Sequence, residues 1–109
     1  MRIILTRGLV ISFPSMPFSV YILYSKKLNR YYTGYSSDLK VRVEFHQNAE
    51  TRKFTAKADD WELFFKLICT SEHQALSIEK HIKKMKSSQY IQNLAQYPEM
   101  TQKLLSKYP

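Results

Sequence analysis

From Ser19 to Ser25 the chain reads SVYILYS, a β-branched and aromatic run that predicts a strand. Lys26 to Asn29 is polar and suits a hairpin turn, after which Tyr31 to Tyr35 returns as a second strand. Gly34 falls near the end of that strand, where glycine is disfavoured unless a bulge or a close backbone approach requires it. Ser36, Ser37 and Asp38 are good N-cap residues, and Leu39, Arg42, Val43 and His46 then recur at i, i+3, i+4 and i+7. That spacing predicts one face of a helix. Asn48 to Asp60 is polar and basic, with Phe54 its one large apolar residue, and reads as a long loop. Trp61 to Cys69, WELFFKLIC, predicts the third strand and is expected to be the most buried of the three.

Ser71-Glu72-His73-Gln74 then has the form of a capping box. The helix it opens carries Ala75, Ile78, Ile82 and Met85 on one stripe. Ser87 and Ser88 mark a break, and two short helices follow, Gln89 to Gln96 and Pro98 to Lys107, the second started by its proline. The order is β-β-α-β-α-α-α. It predicts an α/β fold with a small, mostly antiparallel three-stranded sheet flanked by helices.

The first residues, MRIILTRGLVISFPSMPF, contain an apolar stretch broken by Thr6, Arg7 and Gly8. It is too short for a membrane span and lacks the long apolar region and cleavage site of a signal peptide, so no membrane association is expected. Residues 1–17 are expected to be a poorly ordered extension, or to follow from a misplaced start with Met16 as the true one. Residues 18–109 then form a single domain.

Composition sharpens this outline. With 109 residues, 44% of them hydrophobic and 14% aromatic, the chain can bury a modest core. The single Cys69 excludes an internal disulfide or a cysteine metal cluster, and its apolar setting predicts a buried, reduced thiol in a cytoplasmic protein. Lys and Arg number 17 against 9 Asp and Glu, a formal charge of +8, which favours a polyanionic partner. Solubility alone would also account for excess lysine.

Common phosphate and metal motifs are missing: there is no P-loop, no GxGxxG, no His-Cys zinc spacing and no GxSxG elbow. What remains is a set of polar residues bordering apolar faces. Arg42 and His46 share a helix face with Leu39 and Val43, although Arg42 could snorkel and His46 could simply cap the helix end. Glu79 borders the stripe of its helix, where an i, i+4 ion pair with Lys83 explains it equally well. Tyr21 and Tyr32 lie on the hairpin strands, the usual place for cross-strand aromatic packing. Together these five supply a base candidate, a charge stabiliser and a metal ligand.

In this order the residues resemble the GIY-YIG nuclease superfamily, especially short stand-alone bacterial members related to the N-terminal nuclease domain of the excision-repair excinuclease. Ser19-Val20-Tyr21 stands at the GIY element and Tyr32-Thr33-Gly34 at the YIG element. Arg42 and His46 match the arginine that follows YIG and the histidine or tyrosine one turn later, Glu79 matches the metal-binding glutamate, and Asn93 the asparagine beyond it. The similarity runs from Phe18 to Leu94. Ser19 replaces the first glycine, and Tyr35 stands where some relatives carry a lysine.

The resemblance implies hydrolysis of a DNA phosphodiester with Mg²⁺ or Mn²⁺ held by Glu79. Tyr21 would be the base, with Tyr32 positioning it; Arg42 would stabilise the phosphate and His46 orient the water. Gly34, Arg52, Lys53 and Lys57, with Lys80, Lys83, Lys84, Lys86 and Asn93, would contact nucleic acid. The expected partner is structured or single-stranded DNA, with RNA open, in repair or recombination. The chain would be a monomer or weak dimer, with or without a repair-protein partner. Two rival readings are a binding module that has lost cleavage and a nuclease component of a larger complex.

Overall fold

A computed structural model of the chain describes residues 18–37 and 58–109. The expected helix over Leu39 to His46, the expected loop from Asn48 as far as residue 57, and residues 1–17 therefore lie outside the described residues, as do Arg42, His46, Arg52, Lys53 and Lys57. Within them the order is β1 (Phe18–Ser25), β2 (Arg30–Ser36), β3 (Glu62–Cys69), α1 (Glu72–Met85), α2 (Ser88–Gln96) and α3 (Pro98–Lys107). The three strands form one antiparallel sheet in the order β2-β1-β3, the α/β arrangement the residue pattern predicts.

β1 takes the centre, and its uncharged run suits burial on both faces. Side chains alternate along a strand, so Val20 and Ile22 join Ala75, Ile78 and Ile82 of α1 in one core. Tyr21 and Leu23 join Trp61 in a second core on the opposite face, with Leu28 and Tyr32 packed against it. The expectation that β3 is the most buried strand is overturned. It is an edge strand, with Leu63 43% and Ile68 54% exposed, while Val20, Ile22 and Leu23 of β1 are fully buried. Glu62 and Lys66 mark it physically, since charges within a strand are a device that protects sheet edges. Its register slips between Ile22 and Leu23, where Phe64 is the extra residue and meets Tyr31 at a ring distance of 5.1 Å.

The hairpin turn is held from below by Asp60. Its carboxylate accepts from Ser25 Oγ at 2.6 Å and from the Lys27 backbone N–H at 2.9 Å. These two bonds, the Ser25 hydroxyl first, hold the Asp60 carboxyl below the usual carboxylate range. Asn29 takes the left-handed conformation (φ 52°) that the tight return needs, and its Oδ1 accepts from the Tyr24 hydroxyl at 2.7 Å.

Ser71 caps α1 as expected, its hydroxyl accepting from Gln74 N at 3.1 Å. The reciprocal half of a capping box is altered. Gln74 Oε1 accepts instead from the Thr70 backbone N–H at 2.8 Å, one residue further back, and Gln74 Nε2 donates to the Tyr108 carbonyl at 2.8 Å. The end of the chain is thus tied to the start of α1. Replacing buried Gln74 with leucine strands the Thr70 donor and the Tyr108 acceptor and should cost about 1–3 kcal/mol, read by chemical denaturation.

The α1 stripe buries Ala75, Ile78 and Ile82, but Met85 is 45% exposed. Met85 is the last residue of that helix, past the point where the buried stripe stops. Lys86 then ends the helix in the left-handed conformation, and Ser87 caps α2 through Tyr90 N at 3.0 Å. Cys69 is buried (1% exposed), and burial pushes its thiol above the ordinary range. No helix among the described residues is long and apolar enough to cross a membrane.

Candidate active site

Antiparallel pairing sets Tyr21 opposite Gly34 and Leu23 opposite Tyr32. Tyr21 and Tyr32 therefore share the face of the sheet away from α1's apolar stripe, with ring centroids 6.5 Å apart. Tyr21 is buried, whereas Tyr32 is half-buried and meets Trp61 edge-on at 6.5 Å. Gly34 has a packing reason of its own. A Cβ there would lie 2.5 Å from Tyr21 Oη and 2.7 Å from Tyr21 Cζ, so the ring of Tyr21 fills the space that any other residue would need.

Glu79 arrives from α1. Its side chain is 13% exposed, and its Oε2 lies 3.0 Å from Lys83 Nζ, so the i, i+4 pair forms and the carboxylate also faces inward. Lys83 does more than neutralise it. Its Nζ stands 5.9 Å from the centroid of the Tyr32 ring, joining the glutamate of α1 to the tyrosine of β2 through one cation. Helical spacing alone shows the Glu79 pair but not the ring, because β2 lies far away in sequence.

A cleft of about 550 Å³ opens beside this group, lined by Asn29, Arg30, Tyr32, Lys83, Lys86 and Ser87 among others. None of the described residues that line it bears a carboxylate, so its rim is positive. Arg30 in this lining was missed from the sequence; its only signal was its place directly before the tyrosine pair.

The other expected lysines separate. Lys83 and Lys86 sit four and seven residues after Glu79 and share its flank of α1, while exposed Lys80 and Lys84 turn outwards. Asn93 stands on α2, where its Oδ1 accepts from Gln89 Nε2 at 3.0 Å. Tyr35, at the position where some relatives carry lysine, donates its hydroxyl to Glu72 at 3.1 Å and ties β2 to the first turn of α1.

A family model of the GIY-YIG catalytic domain matches residues 17–92. The chain belongs to the GIY-YIG family. No curated protein and no solved structure matches it. The family is one of nucleases, so membership assigns the chain to the phosphodiester hydrolases with a nucleic-acid substrate. The matched span holds all three strands, α1 and the first half of α2, and so contains Tyr21, Tyr32 and Glu79; α3 lies beyond it.

GIY-YIG nucleases generally depend on a divalent metal. Among the described residues no group of three or more His, Cys, Asp or Glu is placed to hold one. Among the described residues the site offers one shielded carboxylate, Glu79, beside a positive cleft that suits phosphate. That donor set fits Mg²⁺ or Mn²⁺, which keep most of their waters and borrow ligands from a substrate phosphate. It does not fit a tetrahedral zinc cage.

Proposed function

We propose that the chain is a metal-dependent endonuclease that hydrolyses DNA phosphodiester bonds, directed by the structure of its substrate and serving repair or recombination. The observation that carries this reading is the link from Glu79 through Lys83 to Tyr32 at the mouth of a basic cleft. A divalent metal held by Glu79 would supply Lewis-acid stabilisation of the phosphate and the leaving oxygen.

The chain's own residues do the rest. Arg30, Lys83 and Lys86 draw the phosphate backbone into the cleft and hold it there. Tyr32 lines that cleft, whereas Tyr21 is buried with Leu23 and Trp61 and does not line it, which favours Tyr32 to take a proton from water and Tyr21 to position it. This exchanges the two roles expected from the sequence. Arg42 stabilises the developing charge on phosphorus with a planar fork of donors, and His46 orients the water. Contacts to phosphate carry no sequence information, which favours a substrate chosen by its structure.

Wild type and Arg42→Ala, each offered labelled flaps, forks, single strands and RNA with Mg²⁺ or Mn²⁺, test the proposal. Wild type should cut at least one DNA substrate, and Arg42→Ala should cut it about 10²–10³-fold more slowly. Binding without cleavage under every condition would leave a binding module in place of an enzyme. Cleavage of RNA alone would replace the substrate class.

A further inference from the structure

The flank of α1 opposite Glu79 holds a second hollow, of about 610 Å³, closed by α2 and α3. Tyr90, Met100 and Leu104 form its apolar wall, and His81, Lys103 and Lys107 its polar one. The aromatic side is ordered. The His81 ring lies 6.0 Å from that of Tyr90 and meets Tyr108 edge-on at 5.6 Å, with His81 Nδ1 and the Tyr108 hydroxyl 2.9 Å apart. Met100, Lys103, Leu104 and Lys107 all belong to α3, beyond the span that matches the family domain, so this hollow is built largely by what the chain adds to that domain.

Its polar lining is cationic. None of the described residues lining it carries a carboxylate. Lys107 and Lys84 lie close enough to reinforce burial in lowering the pKa of His81, which shows their charge converging on this spot. A pocket of this volume with one aromatic wall and a lysine rim has the make-up of a nucleotide site, where the base stacks and the phosphate meets the cations.

Its position relative to the cleft lined by Lys83 and Tyr32 gives it a use. On α1, Lys83 shares the flank of Glu79, His81 faces the other way, and exposed Lys80 and Lys84 occupy the arc between them. The two hollows are thus separated by the width of one helix, about 10–12 Å, and joined by an unbroken run of lysines. We infer that the His81 hollow is a subsite for one nucleotide of the strand bound in the cleft lined by Lys83 and Tyr32, reached across Lys80 and Lys84. This rests on the nuclease reading above and names how that site grips its substrate.

The test is equilibrium binding of a short labelled single-stranded oligonucleotide in EDTA at several salt concentrations. Lys103→Ser with Lys107→Ser should weaken binding about tenfold at low salt and flatten the log–log salt slope by about 1.4, the share of two phosphate contacts on a single strand. Tyr90→Leu should lose about tenfold with the slope unchanged, since it removes stacking and no charge. In unsubstituted protein, the ring signals of His81 should shift as the oligonucleotide is added, a readout that no variant's folding can disturb. If the variants bind as wild type does and His81 does not shift, the subsite is wrong while cleavage by wild type keeps the nuclease reading. If wild type neither binds nor cuts any strand, both fail. If thymidine monophosphate shifts His81 and the oligonucleotide cannot displace it, the hollow takes a free nucleotide and the strand subsite is overturned.

Discussion

Glu79→Gln should lose about 10³-fold in single-turnover cleavage with Mg²⁺ while its melting temperature stays close to that of wild type. The two effects separate because Glu79 plays two parts of unequal weight. As the partner of Lys83 it forms an i, i+4 pair whose lysine is 52% exposed, and such pairs contribute about 0.3–0.5 kcal/mol. As the shielded carboxylate that the described residues place beside the cleft, it would carry the charge that a divalent cation needs, and a 10³-fold loss corresponds to about 4 kcal/mol of barrier. Glutamine keeps the shape and can still accept from Lys83 Nζ, so packing on α1 is preserved. A variant that cuts within tenfold of wild type would reduce Glu79 to an ion-pair partner. One that fails to fold would mean the carboxylate carries more of the structure than a half-exposed pair allows.

Gly34→Ala should destabilise the domain by about 1–3 kcal/mol and slow cleavage as well. The added methyl would stand 2.7 Å from Tyr21 Cζ, too close for any Cβ, and Tyr21 is only 1% exposed and wedged with Leu23 and Trp61. Either the ring or the strand must move. A displacement of about 1 Å at a site that depends on position can cost roughly 10²-fold in rate. Thermal melts should therefore fall by several degrees and turnover should fall with them. A double-mutant cycle checks the cause: combining Gly34→Ala with Tyr21→Leu should be less damaging than the sum of the two, since leucine vacates the space the methyl needs. Additive effects would show that the glycine matters for some other reason, such as a backbone contact to substrate.

Local features were legible in the residues because local rules produce them. SVYILYS reads as a strand from its composition, the cap at Ser71 forms, the chain breaks between helices at Ser87, and Pro98 opens α3. The family itself was readable from the order of two tyrosine motifs, an arginine and a distant glutamate. Relations between distant elements were not. WELFFKLIC has as large a share of apolar residues as SVYILYS, and its charges at Glu62 and Lys66 hint at an edge that the sheet order then shows, with β1 between its neighbours. Gly34 was expected to bare its backbone to phosphate, yet its partner across the strands supplies a reason within the fold, the ring of Tyr21. The bridge from Lys83 to Tyr32 depends on how α1 sits against β2, which no spacing within α1 could show. Arg42 and His46 lie outside the described residues, and the roles that the resemblance implies for them stand as proposals.

Cys69 has a practical use. It is the chain's one cysteine, buried beside Val20 and Ile22, and the burial that raises its pKa also starves it of the thiolate that alkylating reagents require. The natural sequence is therefore already a quiet background for thiol chemistry. A cysteine placed at exposed Lys80 could carry a fluorophore or spin label with no need to remove the native one. Such a probe would sit on the arc of α1 between the two hollows and report whether a bound strand passes over it.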